Sequence, residues 1–575
     1  MICEMTMKAK TFQGWAGPAT AATICVALSL LVCGELAADP TNYQRYVIGE
    51  RALGMGGAQV AAVNDPMANL YNPAGMVFVT SSMVSASKAI YSFDKREIEG
   101  GFVPSLAVAA DDEADAIGLE HDNDLSLPST LAIVAPFGKR LYKGGPKRHA
   151  FGVGILVPLQ DSFKFRGKWK AGGEVRDAET FSLSESHQQS WLGISYAFRA
   201  SEEWGLGLSA YLVRTSFSRR YAQSRFGEEL DCPLETCGYM EFSESDFRAD
   251  TVSLLFRIGA LWAPHENWRF GLTVSAPTIL LPTVVLYKTE GKLDQTAGTA
   301  SVVGDDDDVE GDELDRVEYY TDDYNIKVAS YEPMNFRVGA AYIWHDIFAL
   351  DVDVTTHLPM SYKSISGDPV AKRRFPADGP ENMSASPNWF DPGIIREVER
   401  EPVVNFNIGW EYIIDATWTI RNGFFTDFSS SPDVKPSIDP QQWKINRYGA
   451  TLAGGFKHRG YDISIGVMGT YGRGTASVFD PRAEPNVWQP APLEEKALYI
   501  FIAGVQSAAV KGAKQLYKKA KDGELFGDDE EGEEDAEGAS EEEAEGAAEP
   551  DETAEEPQPG EGPAAGDGDA GENTE

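Results

Sequence analysis

The feature that most constrains this 575-residue chain is an alternation of apolar and polar residues with a period of two. In the segment 334–344, MNFRVGAAYIW, every second residue is apolar and the residues between are mostly polar or small. The same pattern recurs in the segments 206–212, 268–274, 348–354, 406–412 and 461–467. Successive side chains of a β-strand point to opposite faces, so this pattern predicts strands with one apolar face. We therefore expect an all-β fold.

Three features favour a membrane barrel over a soluble β-sandwich, which would show the same alternation. Many alternating segments have ten or more residues, whereas strands of soluble sheets usually have about five or six. The connections alternate short and long, as in barrels with short turns at one end and long loops at the other. Tryptophans crowd the strand ends, where amphipathic rings sit at the membrane surface. They are Trp262, Trp268, Trp344, Trp410 and Trp418.

The pattern predicts a transmembrane antiparallel β-barrel of about 14 strands over residues 81–506. An even number is what closure of an antiparallel sheet requires. The predicted strands are 81–93, 128–136, 149–159, 187–199, 203–220, 247–263, 267–277, 329–344, 347–357, 402–414, 417–427, 446–458, 460–471 and 495–505.

The lengths of the connections predict which way the barrel faces. Connections after even-numbered strands are brief, while those after odd-numbered strands are long. Long loops lie outside the cell and short turns in the periplasm, so the first strand should run outward and the last should return to the periplasm. The long connections are 221–246, 278–328, 358–401 and 472–494.

Residues 1–38 have the pattern of an export signal. Lys8 and Lys10 precede an apolar run, Ala19–Cys33, and two small residues end the segment at Ala38. This order is typical of a cleaved signal peptide. A lipoprotein signal ending at Cys33 is an alternative, and Met7 is an alternative start. No later apolar run approaches the roughly 20 residues of a membrane helix, which leaves a secreted protein, a periplasmic protein or a barrel.

The net charge of −39 is concentrated at the C-terminus. Residues 522–575 contain 24 acidic residues and no Lys or Arg, and the remaining 521 residues carry −15. Such a composition cannot bury a core, so residues 523–575 are predicted to be a disordered periplasmic tail with a possible periplasmic partner. Residues 507–522 are predicted to be a short basic amphipathic helix. It could lie on the inner leaflet or be neutralised by the tail.

After removal of the signal only two cysteines remain, Cys232 and Cys237. A pair that closes a short loop in an exported protein favours a disulfide. A zinc site is the alternative, although no His lies near in sequence.

An acidic run in the fourth external loop is a weak candidate for binding a divalent cation through Asp305, Asp307 and Asp312. Carboxylates are the ligands that Ca²⁺ prefers, but the spacing differs from that of an EF-hand loop. A solvated loop is the alternative, and no metal is predicted.

The segment Gly49–Gly75, GERALGMGGAQVAAVNDPMANLYNPAG, resembles the N-terminal hatch of the FadL/TodX family of outer-membrane transporters. A weaker resemblance covers Asn405–Pro432, and the likeness as a whole extends over residues 45–505. The chain departs from the family after Val505, because about 70 residues follow a strand at which such barrels usually end. How the outer-membrane assembly machinery would recognise that strand is left open.

This resemblance implies a barrel of fourteen strands whose lumen is plugged by residues 39–80. It implies uptake of hydrophobic small molecules, long-chain fatty acids or aromatic hydrocarbons, captured by the outer loops and released sideways between strands. Glycines let irregular backbone pack inside a barrel, and Asp-Pro and Asn-Pro form turns. The hatch and gating candidates are Gly54, Gly56, Gly57, Asp65, Asn72, Pro73, Ala74 and Gly75. Their alternative role is plug folding without ligand contact.

Four arginines are candidates for holding a ligand carboxylate, because we expect them to face the lumen. A guanidinium binds a carboxylate through two parallel hydrogen bonds. The alternative is that each pairs with a lumen acid such as Asp351, Asp353 or Glu411. The candidates are Arg214, Arg257, Arg337 and Arg421.

The sequence argues against catalysis and against a cofactor. The glycines after Leu53 lack the third glycine of a dinucleotide loop, and neither HExxH nor GxSxG occurs. We expect a non-enzymatic outer-membrane protein that contacts membrane lipid and lipopolysaccharide and binds no nucleic acid. The alternatives within the same fold are a shuttle for protein secretion or surface attachment and a structural barrel.

Overall fold

The computed structural model describes residues 41–103, 117–123, 129–142, 147–170, 178–228, 237–284, 287–303, 314–345, 347–366, 395, 397–480, 483 and 487–507. The predicted signal peptide, basic helix beyond Ser507 and acidic tail lie outside these residues. No helix among them is both long and apolar enough to cross a membrane.

The described chain contains 21 strands. Fourteen of them, β1, β3–β8, β12, β13 and β17–β21, form an antiparallel barrel that closes through the pairing of β21 with β1. The strands are β1 Met83–Phe102, β2 Ile117–Asn123, β3 Ser129–Arg140, β4 Lys147–Lys170, β5 Ala178–Arg199, β6 Trp204–Glu228, β7 Cys237–His265, β8 Trp268–Ser275, β9 Ile279–Leu281, β10 Glu290–Val303, β11 Leu314–Val328, β12 Asn335–Trp344, β13 Phe348–His357, β14 Met360–Lys363, β15 Ile365–Ser366, β16 Glu397–Arg400, β17 Val403–Ile413, β18 Trp418–Asp427, β19 Lys444–His458, β20 Tyr461–Phe479 and β21 Trp488–Ser507. Each barrel strand overlaps one predicted segment, so the predicted fold and strand number are confirmed.

Several connections predicted to be loops instead contain strands. β6 and β7 stay paired out to Glu228 and Gly238, and β10 continues that sheet by pairing with β7 and β11. The inner face of this extension is partly apolar, since Phe247, Ala249 and Val328 form a small core. The sequences of β10 and β11 carry polar residues in both phases, so apolar alternation gave no signal for these two strands.

The exterior of the barrel is an apolar belt. On β17 the outward residues Val404, Phe406 and Ile408 are exposed, and Asn405 and Asn407 between them are buried toward the lumen. A charged side chain on such a face costs about 2–4 kcal/mol at the midplane of a bilayer. The alternation seen in the sequence is therefore the division between a lipid-facing and a lumen-facing surface.

Aromatic rings gather at the end of the barrel where the short turns lie. Trp204 and Trp262 stack with ring centroids 5.6 Å apart. Trp268 packs against Tyr342 on the next strand, at 4.9 Å. This is the girdle expected where strands leave the apolar part of a membrane.

The segment before β1 lies inside the barrel, and we call residues 41–80 the hatch. It contains helix α1 (Glu50–Gly54), helix α2 (Ala68–Tyr71) and a 3₁₀ helix (Pro73–Phe78). Apolar side chains of the hatch form a core with the inner wall. Wall members of that core include Trp191, Tyr211, Phe425, Tyr499 and Phe501.

Candidate functional site

A belt of glycines on the inner wall receives the hatch backbone. Its cross-strand pairs are Gly207–Gly259, Gly271–Gly339 and Gly409–Gly423. A Cβ atom at Gly423 would lie within 3.0 Å of the backbone of Met55 and Gly56. One at Gly271 would meet the carbonyl group of Val60 equally closely. The hatch and the wall therefore touch backbone to backbone, which no other residue type would allow.

The turn at Gly56 and Gly57 needs glycine for a second reason. Both residues have positive φ angles, 62° and 82°, in the left-handed region that favours glycine. The Gly56 N–H donates to Thr451 Oγ1 at 3.0 Å, and its carbonyl accepts from Asn407 Nδ2 at 2.6 Å. Gly54 joins the same contact, since its carbonyl accepts from the Thr451 hydroxyl at 2.9 Å.

Asn72 fastens the hatch to the wall with a fully buried side chain. Its Nδ2 donates to the Val60 carbonyl at 2.8 Å and to the Ala260 carbonyl of β7 at 3.1 Å. Its Oδ1 accepts the Ala74 N–H at 3.1 Å, which caps the 3₁₀ helix. Both amide hydrogens and the amide oxygen are thus engaged within the protein.

Acidic side chains of the wall bind the hatch backbone. Asp353 Oδ2 accepts the N–H groups of Gln59 and Val60, at 2.7 and 2.9 Å. Asp351 Oδ2 accepts the N–H of Ala62 at 2.9 Å. These two acids were the partners that the alternative role of the lumen arginines named. Their Oδ2 atoms accept instead from irregular hatch backbone that has no strand to pair with.

Ion pairs connect helix α1 to the wall. Arg421 contacts both Glu50 of the hatch and Glu411 of β17, and Arg51 lies 3.2 Å from Glu411. Burial raises the pKa of Glu50 to about 7, although Arg421 opposes that shift. Burial also raises the pKa of Asp65, which accepts the Met67 N–H at 2.7 Å. Arg421 therefore has the alternative role, because it pairs with the lumen acids Glu50 and Glu411.

A buried charged cluster crosses the lumen at the start of the hatch. Arg45 of the hatch contacts Asp94 and Asp161 of the wall. Arg96 Nε lies 3.0 Å from Glu495 Oε2, and Arg447 joins the same carboxylate at 2.8 Å. We call Arg45, Asp94, Arg96, Asp161, Arg447 and Glu495 the charged cluster. It places polar groups across the barrel between its long-loop end and the body of the hatch.

Two cavities lie on either side of the charged cluster. The outer cavity is lined by aromatic and aliphatic side chains near the long loops. The inner cavity, of about 80 Å³, lies between the hatch and the wall. A constriction lies between the two cavities and is lined by members of the charged cluster. Trp443 lines both the constriction and the outer cavity, and Leu159 lines both the constriction and the inner cavity. Lining residues of the outer cavity include Phe102, Phe165, Phe181, Leu183, Trp443 and Trp488.

The inner cavity has a mixed lining of apolar and polar side chains, and its polar members include Gln189, Glu332 and His357. Its apolar lining includes Tyr46, Ile48, Leu70, Trp191 and Leu255. Two of the predicted arginines, Arg257 and Arg337, line it as well.

In the described part of the chain, Arg257 and Arg337 form no ion pair at contact distance, although Asp353 attracts the Arg337 guanidinium and Glu332 lines the same cavity. Arg257 donates to Ser275 Oγ at 2.9 Å and to the Leu70 carbonyl. Arg337 Nε is buried without a hydrogen bond. Among the described residues, neither guanidinium has a carboxylate within ion-pair distance. They are the two predicted arginines whose surroundings fit an anionic group of a ligand.

A third cavity, of about 530 Å³, lies below the hatch at the short-turn end. Its lining is charged, with Arg51, Glu411, Arg421 and Lys457 among its residues. It is therefore a polar vestibule, unlike the mainly apolar outer cavity.

No protein-family model matches this sequence, and no curated protein matches it. Solved structures do. A Pseudomonas aeruginosa FadL homologue matches with a TM-score of 0.50 at 15% identity, covering 81% of this chain and 99% of that one. The Pseudomonas putida toluene transporter TodX gives 0.48 at 12% identity, covering 81% and 99%. The CymD monoaromatic hydrocarbon channel gives 0.44 at 12%, covering 80% and 97%.

The chain has the fold of the FadL-type channels. The match covers nearly all of the FadL homologue. Within this FadL-type fold, the eight predicted hatch residues all lie inside the barrel. Six of them contact the wall, namely Gly54, Gly56, Gly57, Asn72, Pro73 and Ala74. Gly75 packs against Val63 within the hatch, and Pro73 and Ala74 lie against Gly207.

The prediction that Arg214 faces the lumen is wrong. Arg214 shares the phase of Leu208 and Leu212, which point away from the lumen on β6. It forms an ion pair with Asp250 at 2.8 Å, and both side chains are partly exposed. Near the outer end of the strand the exterior is no longer apolar, so an outward arginine meets polar surroundings there.

The predicted disulfide and the weak metal candidates are not described by the structure, because Cys232, Asp305, Asp307 and Asp312 lie outside its residues. Within the described part of the chain, no group of three His, Cys, Asp or Glu side chains is arranged to hold a metal ion.

Sequence reasoning missed the charged cluster. Its members come from the hatch and from β1, β4, β19 and β21, up to 450 positions apart from Arg45 to Glu495. A signal was present, because Asp94 and Arg96 share the lumen-facing phase of β1 with Ile98. Charged residues in the lumen-facing phase of a strand indicate buried polar groups. Only the folded barrel shows which of these groups contact each other.

Proposed function

We propose that this protein is an outer-membrane channel through which hydrophobic small molecules enter the cell by passive diffusion. The observation that carries the proposal is a pair of cavities in a barrel with an apolar exterior: the outer one has a mainly apolar lining, and the inner one, between hatch and wall, combines apolar with polar side chains. Transfer of a hydrophobic solute into water costs about 0.8 kcal/mol for each CH₂ group. A route along apolar lining reduces that cost where a water-filled pore would not.

The route that we infer begins at the long-loop end. The outer cavity takes up the ligand, and the ligand then passes the constriction beside Trp443 and Leu159 into the inner cavity. Arg257 and Arg337 line the inner cavity, where a guanidinium can bind a carboxylate through two hydrogen bonds. This supports fatty acids as one class of substrate. Aromatic hydrocarbons would use the apolar lining alone.

The exit that we infer is sideways, through the wall at β4. Val157 and Pro158 together oppose the single residue Ser190 of β5, so the hydrogen-bond ladder is interrupted there. Pro158 also lines the inner cavity. Straight passage is opposed by the charged residues of the vestibule below the hatch. A hydrophobic ligand therefore meets less polar surface on the way to the bilayer than on the way to the periplasm.

Gating by the hatch would be local. The inner cavity has a volume of about 80 Å³, whereas an engineered cavity that binds benzene has about 150 Å³. Ligand entry thus requires movement of lining side chains such as Tyr46 and Leu70. The glycine belt and the hydrogen bonds of Asn72 favour a hatch that stays seated while those side chains move.

We place the long loops outside the cell, the short turns in the periplasm, and any segment after Ser507 in the periplasm as well. This orientation is supported by the parity of loop lengths in the fold. It puts the outer cavity within the lipopolysaccharide layer, where capture must occur.

A pair of leucines on β7 provides a matched test. Leu255 lines the inner cavity, and its neighbour Leu254 points to the opposite face of the strand. Leu255→Trp should fill the cavity and reduce uptake of a labelled long-chain fatty acid and of toluene by at least about tenfold, because a packed site resists added volume. Leu254→Trp should leave uptake near the wild-type level.

The measurement is uptake by a deletion strain complemented with each variant. Heat-modifiable migration on gels confirms that each barrel has folded. Equal uptake by the two folded variants would contradict a route through the inner cavity. Normal uptake in the deletion strain together with loss of a surface protein would favour the shuttle instead.

A further inference from the structure

The β3–β4 hairpin carries a basic patch at the short-turn end of the barrel. Lys139, Arg140 and Arg148 are exposed and Lys147 is half-buried. Neither described arm of the hairpin contains Asp or Glu, from Ser129 to Tyr142 or from Lys147 to Gln160. The local charge is therefore wholly positive.

A β-bulge turns this charge toward the lipid-facing side. Phe137 pairs with His149, but the register then shifts so that Arg140 pairs with Lys147. Gly138 provides the bulge with a φ angle of 81°, as bulges of this kind require. Lys147 has the same phase as His149 and Phe151, which face outward, so its partner Arg140 faces outward too. Like charges directly opposite each other on a sheet are unfavourable.

Aromatic residues surround the patch on the same face. Phe137, Tyr142 and Tyr196 are each more than 40% exposed. His149 lies 2.7 Å from the Tyr196 hydroxyl, and its ring stacks on Phe137. Aromatic rings with a polar edge occupy the headgroup level of a membrane, so the cations beside them stand at the depth of lipid phosphates.

The other short turns have a different charge. The turn between β5 and β6, Ala200–Glu203, contains two acids, and Asp415 lies in the turn before β18. The turn between β19 and β20 is also basic, but Lys457 pairs with Asp462 at 3.4 Å. The positive charge of the β3–β4 patch therefore differs from the charge of these three short turns.

We propose that the basic patch of the β3–β4 hairpin binds the headgroup of an anionic phospholipid in the leaflet at the short-turn end. The phosphate would lie between the outward side chains of Arg140 and Lys147, with the glycerol backbone over Phe137 and Tyr196. Charge complementarity and depth in the membrane select this ligand. The inference rests on the membrane location in the proposed function, but not on transport.

The test is lipid retention by the full-length protein. The protein is placed in nanodiscs of phosphatidylethanolamine with a minor share of phosphatidylglycerol, and its retained lipid is counted by native mass spectrometry. We expect phosphatidylglycerol to be enriched at least about tenfold over its share, because each Lys or Arg at an anionic surface favours binding. The variant Arg140→Gln/Lys147→Gln should lose that enrichment.

The matched control removes two charges from the other basic turn, as Lys457→Gln/Arg459→Gln, and should keep the enrichment. Equal retention of phosphatidylglycerol by both variants overturns the proposal. A higher enrichment of lipopolysaccharide, when it is supplied in place of phosphatidylglycerol, overturns it as well. Inorganic phosphate should not compete, since the site needs the acyl chains as well. The Arg140→Gln/Lys147→Gln variant should still take up fatty acid, so a failed lipid test leaves the transport proposal standing.

Discussion

At the scale of single residues, this barrel uses its lumen side chains mainly to hold backbone. Asp351 and Asp353 of the wall accept N–H groups of the hatch, and Asn72 of the hatch donates to the Val60 and Ala260 carbonyls. Irregular backbone at membrane depth needs such partners, because no strand pairs with it. The candidate ligand contacts are consequently few, and Arg257 and Arg337 stand apart because neither forms an ion pair at contact distance with a described residue.

A prediction at this scale concerns Asn72. Asn72→Asp keeps the shape of the side chain but replaces two N–H donors with an acceptor that faces the carbonyls of Val60 and Ala260. Leaving buried polar groups unpaired costs about 1–3 kcal/mol each. We expect the free energy of unfolding in detergent to fall by about 2 kcal/mol or more, measured from urea titrations.

Asn64 provides the control for that prediction, since it belongs to the same hatch but is exposed. Asn64→Asp should change the unfolding midpoint very little. If the two variants unfold at the same urea concentration, Asn72 does not fasten the hatch in the way described.

At the scale of elements, the strands divide into those that the sequence could predict and those that it could not. β17 alternates regularly between buried and exposed residues, so period-two analysis located it to within one residue at each end. β10 and β11 carry polar residues in both phases of their sequence, so no alternation marks them. Arg214 illustrates the same limit, because outward polar residues are permitted once a strand has left the bilayer.

The interruption in β4 carries a prediction of its own. Pro158→Ala restores an N–H group at the bulge and allows the ladder with β5 to close toward Ser190. We expect uptake of a labelled fatty acid to fall at least several-fold while the folded barrel becomes no less stable. The measurement is initial uptake rate per folded barrel in whole cells.

Pro136 is the matched control for Pro158. It also lies in a barrel strand, but it pairs in regular register with Ala150. Pro136→Ala should leave uptake unchanged. A similar loss in both variants, or in neither, would show that the β4 bulge is not the exit.

At the scale of the whole molecule, hatch and barrel form one core. Leu53 and Met67 of the hatch pack with Trp191 and Phe425 of the wall. A barrel without the hatch would expose this core and the glycine belt to water. The resemblance of one short segment to a hatch predicted this plug, but the partners of its atoms come from strands hundreds of residues away and needed the fold.

A deletion of residues 41–78 tests this dependence. We expect the urea midpoint of the remaining barrel to drop sharply, with a loss on the order of several kcal/mol from lost burial and orphaned hydrogen-bond groups. Truncation after residue 522 removes more residues but leaves every barrel strand intact, and should have little effect on the midpoint. A deleted barrel as stable as the wild type, conducting ions as an open pore in planar bilayers, would refute the view of a shared core.

The backbone contact at the glycine belt also bears on how such a channel changes over time. Because main-chain atoms form both sides of this contact, it does not depend on which side chains the hatch carries. Substitutions at Tyr46, Ile48 or Leu70 can therefore reshape the inner cavity while the seat at Gly271, Gly409 and Gly423 stays as it is. New ligand preferences become reachable by single substitutions, with the architecture held constant by residues that have no side chain to vary.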